Sequence, residues 1–262
     1  MERIEIGGMS VAFERSGDGP PLLLLHGFLS DSTAWRRQLA SLSADFTVVA
    51  WDAPGCGASS DPPASSRMPE YADWLAAFIE TLGLEQPHVL GLSFGAAMAL
   101  ELYRRHPALP RTLVLASAYA GWAGSLPAPV VAERLAQSLR ESKLPPEQWV
   151  RGWIPGWLTE RAPPEMVEEM VTMMSRFHPA GFRTMVHALA EADLRDVLPR
   201  IEIPTLLVHG AEDRRSPISV AEDLHAAIRG STLVVIPAAG HLANVEAAEP
   251  FNRAVRDFLL SR

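Results

Sequence analysis

The chain has 262 residues, 48% of them apolar, and a formal net charge of −8. That length suits one large domain or a core domain with an insertion. No run of Lys or Arg offsets the negative charge, which argues against nucleic acid and anionic membrane as partners. No apolar stretch approaches the roughly 20 residues of a transmembrane helix. The opening Met1-Glu2-Arg3-Ile4-Glu5-Ile6 is acidic where a signal peptide would be basic and then apolar, so a cytoplasmic protein is expected. The single Cys56 leaves neither an intramolecular disulfide nor a Cys-based metal cluster.

Ile4–Ile6 and Val11–Glu14 read as a short hairpin around Gly7-Gly8. Pro21–Leu25 is a continuous apolar run, as a strand buried on both faces would be. A helix is expected over Trp35–Leu42, then a buried strand Phe46–Trp51 ending at the turn signal Asp52-Ala53-Pro54-Gly55. Tyr71, Trp74, Leu75, Phe78, Ile79 and Leu82 keep helical spacing up to Gly83. Strand His88–Leu92, helix Ala96–Arg105 and strand Arg111–Ala116 follow. This alternation predicts a parallel sheet covered by helices.

From about 121 to 199 no strand pattern occurs. The stretch is rich in proline and holds four of the seven tryptophans, Trp122, Trp149, Trp153 and Trp157. Met166, Val167, Met170, Val171, Met174 and Phe177 keep helical spacing, as do Phe182, Met185, Val186 and Leu189. After Pro204 the rhythm resumes with strand Thr205–His209, a helix near Val220–Ile228, strand Thr232–Ile236 and helix Phe251–Leu260. The middle thus reads as an all-helical insertion in a sheet domain.

Gly91-Leu92-Ser93-Phe94-Gly95 is a G-x-S-x-G sequence directly after a predicted strand. A serine hydroxyl becomes a useful nucleophile when a sharp strand-to-helix turn lifts it clear and a base takes its proton. Asp213, after strand Thr205–His209, and His241, after strand Thr232–Ile236, supply an orienting acid and a base. Glu212 competes with Asp213 for the acid's role; its alternative reading is a solvated loop charge. All three candidates lie beyond the carboxyl ends of strands, where open parallel sheets bind ligands. His26-Gly27-Phe28 ends another strand. The backbone N–H groups of Phe28 and Phe94 are the candidate oxyanion donors.

With Asp52-Ala53-Pro54-Gly55-Cys56-Gly57, Gly210-x-x-Asp213 and Gly240-His241 added, the set resembles the α/β-hydrolase family over nearly the whole chain apart from the insertion. The resemblance implies an eight-stranded, mostly parallel sheet flanked by helices, with a helical cap between strands six and seven. Residues 121–199 fall in that place, leaving 1–120 and 200–262 as the core. Small capped esterases, lactonases and carbon–carbon bond hydrolases are the most similar in type. The chain departs from some relatives: Gly95 is followed by Ala96, and His26-Gly27-Phe28-Leu29 lacks both a Gly-rich continuation and the His-Gly-x-Pro of many dehalogenases and epoxide hydrolases. Those two groups also use Asp as nucleophile where this chain has Ser93.

The expected activity is hydrolysis of carboxylic esters or lactones through an acyl-enzyme on Ser93, with no metal or organic cofactor and a small molecule as partner. Phe28, Phe94, Trp122, Trp153 and Leu242 are the candidate substrate-binding residues, and the tryptophans and methionines of the insertion predict a largely apolar cleft. His26 is expected to brace the oxyanion loop. His178 and His187 are candidates for substrate contact, whereas His88, His106 and His225 are assigned to surfaces or element ends. Cys56 reads as a small turn residue. Carbon–carbon bond cleavage with the same triad is the alternative reaction, perhydrolysis a side activity, and a slow-turnover ligand receptor the alternative of another class.

Overall fold

Glu2–Ile6 (β1) and Met9–Ser16 (β2) form an antiparallel hairpin with Ile6 opposite Met9. Gly7 and Gly8 turn it at φ of +56° and +81°, a region open to glycine because it lacks a Cβ. The computed structural model describes residues 1–262.

The next elements are β3 (Pro21–Leu25), a 3-10 turn (Ser32–Trp35) running into α1 (Arg36–Leu42), and β4 (Thr47–Trp51). After them come α2 (Met68–Thr81), β5 (His88–Leu92), α3 (Phe94–Arg105) and β6 (Thr112–Ala116). Four helices then replace the alternation: α4 (Ala128–Glu141), α5 (Val150–Trp157), α6 (Pro164–Met174) and α7 (Pro179–Glu191). The core resumes with β7 (Thr205–Gly210), α8 (Ile218–Ala227), β8 (Thr232–Ile236), a one-turn α9 (Ala243–Glu246) and α10 (Ala248–Leu260).

The eight strands lie in the order β1-β2-β4-β3-β5-β6-β7-β8. β2 pairs antiparallel with β1 and β4, and every other pair is parallel. β5 and β6 are buried at every position, which is why their sequences run apolar without alternation. Each fully buried Leu or Val adds about 1.5–3 kcal/mol of favourable transfer energy. Around the sheet, α1 packs on α10 and α2 on α3. No helix is long and apolar enough to cross a membrane.

Strand order reverses between β3 and β5. From β3 the chain steps to β4 on one side, then crosses to β5 on the other. Neighbouring connections diverge there and leave a crevice beyond the carboxyl ends. Leu25 pairs with Gly91 across this junction, so the His26-Gly27-Phe28 loop and Ser93 leave adjacent strands side by side.

The helical segment between β6 and β7 is seated by backbone contact. A Cβ built on Gly55, in the loop after β4, would meet Gly181 Cα of α7 at 2.6 Å, and one on Gly181 would meet Gly55 O at 2.2 Å. Only two glycines allow that approach. The prolines of this segment stand mainly at helix starts, Pro164 of α6 and Pro179 of α7 among them, where the missing N–H has no helical acceptor to lose.

Candidate active site

Ser93 joins β5 to α3 with φ 54° and ψ −107°, a strained conformation for a residue with a Cβ. The turn holds because its neighbours press on it. Ser93 N–H donates to Ala116 O of β6 at 2.9 Å. A Cβ on Gly91 would lie 2.2 Å from Gly95 O, and one on Gly95 would lie 2.1 Å from Leu25 O. Both glycines of the pentapeptide are therefore steric requirements of the turn. α3 begins at Phe94, two residues before the sequence-based boundary, because helical geometry starts directly after the serine.

Asp213 and His241 meet across two later loops. His241 Nδ1 lies 2.8 Å from Asp213 Oδ2, while Asp213 Oδ1 accepts the N–H groups of Arg215 and Ser216, each at 2.8 Å. Burial would raise the Asp213 pKa, but the His241 imidazole, His209 and the Ser216 N–H outweigh it and hold the carboxyl below its ordinary range. An ionised carboxylate only accepts, so Nδ1 of His241 carries the proton and Nε2 is free to act as base. Glu212 points away from this pair and ion-pairs with Arg161.

Several groups fix the two loops. Ser117 Oγ donates to His241 O at 2.9 Å, and Glu246 Oε2 accepts the N–H of Gly240 at 2.8 Å. Leu242 N–H donates to Trp157 O at 3.1 Å, tying the histidine loop to the end of α5. His209, absent from the sequence-based candidates, is buried behind Asp213, where its Nε2 donates to Ser216 O at 2.7 Å and lies 3.7 Å from Asp213 Oδ2. Burial lowers its pKa. Its only signal in the sequence is a polar side chain at the end of an otherwise apolar strand.

The loop after β3 is braced by His26. Its Nδ1–H donates to Gly27 O at 2.8 Å and its Nε2 accepts the N–H of Ala53 at 3.0 Å, which defines one neutral tautomer. Burial lowers its pKa against the opposing pull of Gly27 O, Asp52 and Asp31. Buried Asp52 accepts the N–H of Ser32 at 2.7 Å and of Ala58 at 2.8 Å. No protein acceptor takes the N–H of Phe28 or of Phe94; the latter is a first-turn amide of α3, free by helix geometry.

Ser93 and His241 line one narrow cleft, with Gly27, Phe28, Ser30, Leu92, Trp157 and Leu242. No hydrogen bond joins Ser93 Oγ to the imidazole in this resting arrangement; the two face the same space. Of the proposed substrate contacts, Phe28 and Leu242 line this cleft, whereas Trp122, Trp153 and the Phe94 ring do not. Trp122 backs the Phe28 ring edge-on at 5.7 Å, and Phe94 packs on the same ring at 5.2 Å. Trp153 lies between Trp149, Trp157 and Phe182. Trp157 is the tryptophan that reaches the cleft, its ring 5.8 Å from that of His241.

A second narrow cavity shares Ser30 with this cleft; Asp31, Cys56, Met173, Arg176, Phe182 and Met185 are among its walls. His178 lines it too, with Nδ1 2.8 Å from Asp61 Oδ1 and Nε2 3.1 Å from Gly57 O. His187 pairs instead with Glu191 on its own helix. Burial pushes the Cys56 thiol well up, so it is not a nucleophile at neutral pH. His88 starts β5, as expected of an element end, but it is only 2% exposed.

The sequence profile of the Alpha/beta hydrolase family matches residues 22–254. The chain is 29% identical over 239 residues to a 3-oxoadipate enol-lactonase of Acinetobacter baylyi, covering 91% of this chain and 88% of the relative. It is 32% identical over 251 residues to a 2-hydroxy-6-oxononadienedioate/2-hydroxy-6-oxononatrienedioate hydrolase of Pseudomonas putida, with 91% and 87% covered. Its structure superposes on a thermophilic esterase of Thermogutta terrifontis, solved with malate bound, at a TM-score of 0.92 and 31% identity, covering 100% of this chain and 99% of the other.

Proposed function

This chain belongs to the alpha/beta hydrolase family, and we propose that it hydrolyses carboxylic esters or lactones through an acyl-enzyme on Ser93. The observation that carries the reading is the 2.8 Å contact of Asp213 with His241 in the cleft that also holds the strained Ser93.

His241 Nε2 takes the Ser93 proton as Oγ attacks the substrate carbonyl. Asp213 keeps the imidazole in the required tautomer and stabilises the imidazolium. The N–H groups of Phe28 and Phe94 receive the negative charge on the carbonyl oxygen; losing such a donor typically costs about 3–4 kcal/mol of barrier. His241 then protonates the departing alcohol oxygen as its bond to the carbonyl carbon breaks. Water, deprotonated by the same histidine, attacks the acyl-enzyme and returns Ser93 with a carboxylic acid product. For a lactone, alcohol and acid remain in one molecule. The helices of residues 121–199 act as a cap over the cleft in this reading.

Apart from Ser93 and His241, the cleft residues Gly27, Phe28, Ser30, Leu92, Trp157 and Leu242 carry no charge, which supports uncharged groups directly beside the scissile bond; the adjoining cavity holds Arg176, 3.6 Å from Asp31. A fluorophosphonate probe tests the reading: it labels the native chain at Ser93, and Ser93→Ala abolishes both labelling and p-nitrophenyl butyrate hydrolysis. Hydrolysis that survives Ser93→Ala refutes the mechanism. Tight ligand binding with no label marks a receptor instead.

A further inference from the structure

Arg215 is a cation with no carboxylate partner. Its guanidinium carbon lies 4.7 Å from the Trp153 ring centroid and 5.9 Å from that of Trp157. No ion pair or side-chain hydrogen bond reaches its guanidinium. Tyr119, Arg134, Asp213 and Glu141 are the titratable groups around it, and burial lowers its pKa. Its backbone is held as firmly: the N–H donates to Asp213 Oδ1 at 2.8 Å, and the carbonyl accepts from Arg134 Nη2 at 2.9 Å and from the Tyr119 hydroxyl.

The side-chain stem is fitted as well. A Cβ on Gly156 would lie 3.2 Å from Arg215 Cδ, so α5 has a glycine where the arginine passes. Next to Gly156 is Trp157, the wall of the cleft against His241. Arg215 is half-buried, and the partner that its guanidinium finds within the protein is the faces of two tryptophans, which belong to the helix that shapes the substrate's space.

We propose that Arg215 is a positioning residue that keeps Trp157 in place as the wall of the catalytic cleft, through cation–π contact with Trp153 and Trp157. The proposal rests on the Ser93 reading for its kinetic consequence but not for its structural one. One residue thereby serves two loops: its backbone orients the triad acid, and its side chain seats the end of α5. Side-chain substitution leaves the backbone bond to Asp213 in place, so its effect falls on substrate binding. A wall that touches substrate and transition state alike changes KM more than kcat.

Arg215→Met keeps the stem and removes the cation, while Arg215→Lys keeps a charge without the planar face. With p-nitrophenyl butyrate, R215M raises KM about tenfold with kcat within about threefold of the parent, and R215K recovers part of the loss. In the W157F background R215M adds little further, because the two act on one contact. R215M with KM within about twofold of the parent, or effects of R215M and W157F that simply multiply, overturns the proposal. Acrylamide quenching of tryptophan emission reads the same contact without activity. Quenching rises in R215M, and the rise is smaller once Trp157 is Phe, the remainder coming from Trp153; an unchanged response, or a rise of the same size with and without Trp157, counts against the role. Should R215M not fold, R215K carries both measurements. A native chain that takes no fluorophosphonate label sinks the Ser93 reading, and the quenching result still decides the Arg215 one.

Discussion

His241 Nδ1 and Asp213 Oδ2 lie 2.8 Å apart, and the other oxygen of the same carboxylate is held by two backbone N–H groups. The carboxylate is thus locked in place beside the imidazole, and it cannot swing away to solvent. Asp213→Asn removes the charge with little change in shape, and its amide can present N–H where the ring needs an acceptor. Loss of the correct tautomer then lowers kcat by about 10⁴-fold. Steady-state kinetics of D213N check this; a loss below about tenfold would mean Glu212 or another group does the work.

Gly95→Ala places a Cβ 2.1 Å from Leu25 O, a backbone atom that cannot rotate aside. The elbow must distort, at a cost of at least about 2 kcal/mol, or roughly 4–8 °C in Tm. Gly27→Ala meets only ordinary contacts, the nearest at 3.4 Å, and leaves Tm within about 2 °C. Calorimetry of the two variants compares them directly, and equal losses would contradict the packing described.

Stability falls on acidification between pH 6.5 and 4. His26, His88 and His209 are held below their ordinary value chiefly by burial, His88 to about 4. The unfolded chain binds protons at these rings near pH 6.5, so within that window it binds more protons than the folded state and gains on it. His88 alone accounts for up to about 3 kcal/mol by pH 4. Asp213, held low, contributes fully above about pH 5 and loses its contribution progressively below that. Urea titrations at several pH values measure the slope. It is shallower in His88→Gln, and an identical slope in that variant rules out the assignment to His88.

Trp157→Leu opens the cleft wall, so the preference for hexanoyl over acetyl esters rises about tenfold. Trp122→Leu, at a ring that backs Phe28 and lies under Arg134 without lining the cleft, lowers Tm and leaves that preference within about threefold. A series of p-nitrophenyl esters separates the two residues, and the reverse ranking would reassign the wall to Trp122.

Much of this architecture is legible in the chain because buried parallel strands must be apolar on both faces. Pro21–Leu25 and His88–Leu92 match their strands residue for residue; Thr232–Ile236 matches too, although this edge strand is largely exposed. The elbow is legible for a steric reason, since no other residue fits at Gly91 or Gly95. The one-turn α9 and the 3-10 turn before α1 left no readable pattern, being shorter than a helical repeat.

Among the aromatic residues periodicity reached its limit. Trp149, Trp153 and Trp157 recur every four residues on one face of the chain around α5, so spacing alone ranks them equally. The Trp157 O to Leu242 N–H bond ties the end of α5 to the histidine loop and brings the Trp157 ring, not the other two, to His241. Local sequence determined the strands, the elbow and the chemical types at their ends, because those follow from burial and backbone sterics within a few residues. The partnership of Asp213 with His241, the neutral brace at His26 and the tryptophan that walls the cleft came from tertiary structure, because each depends on how loops distant in sequence pack together.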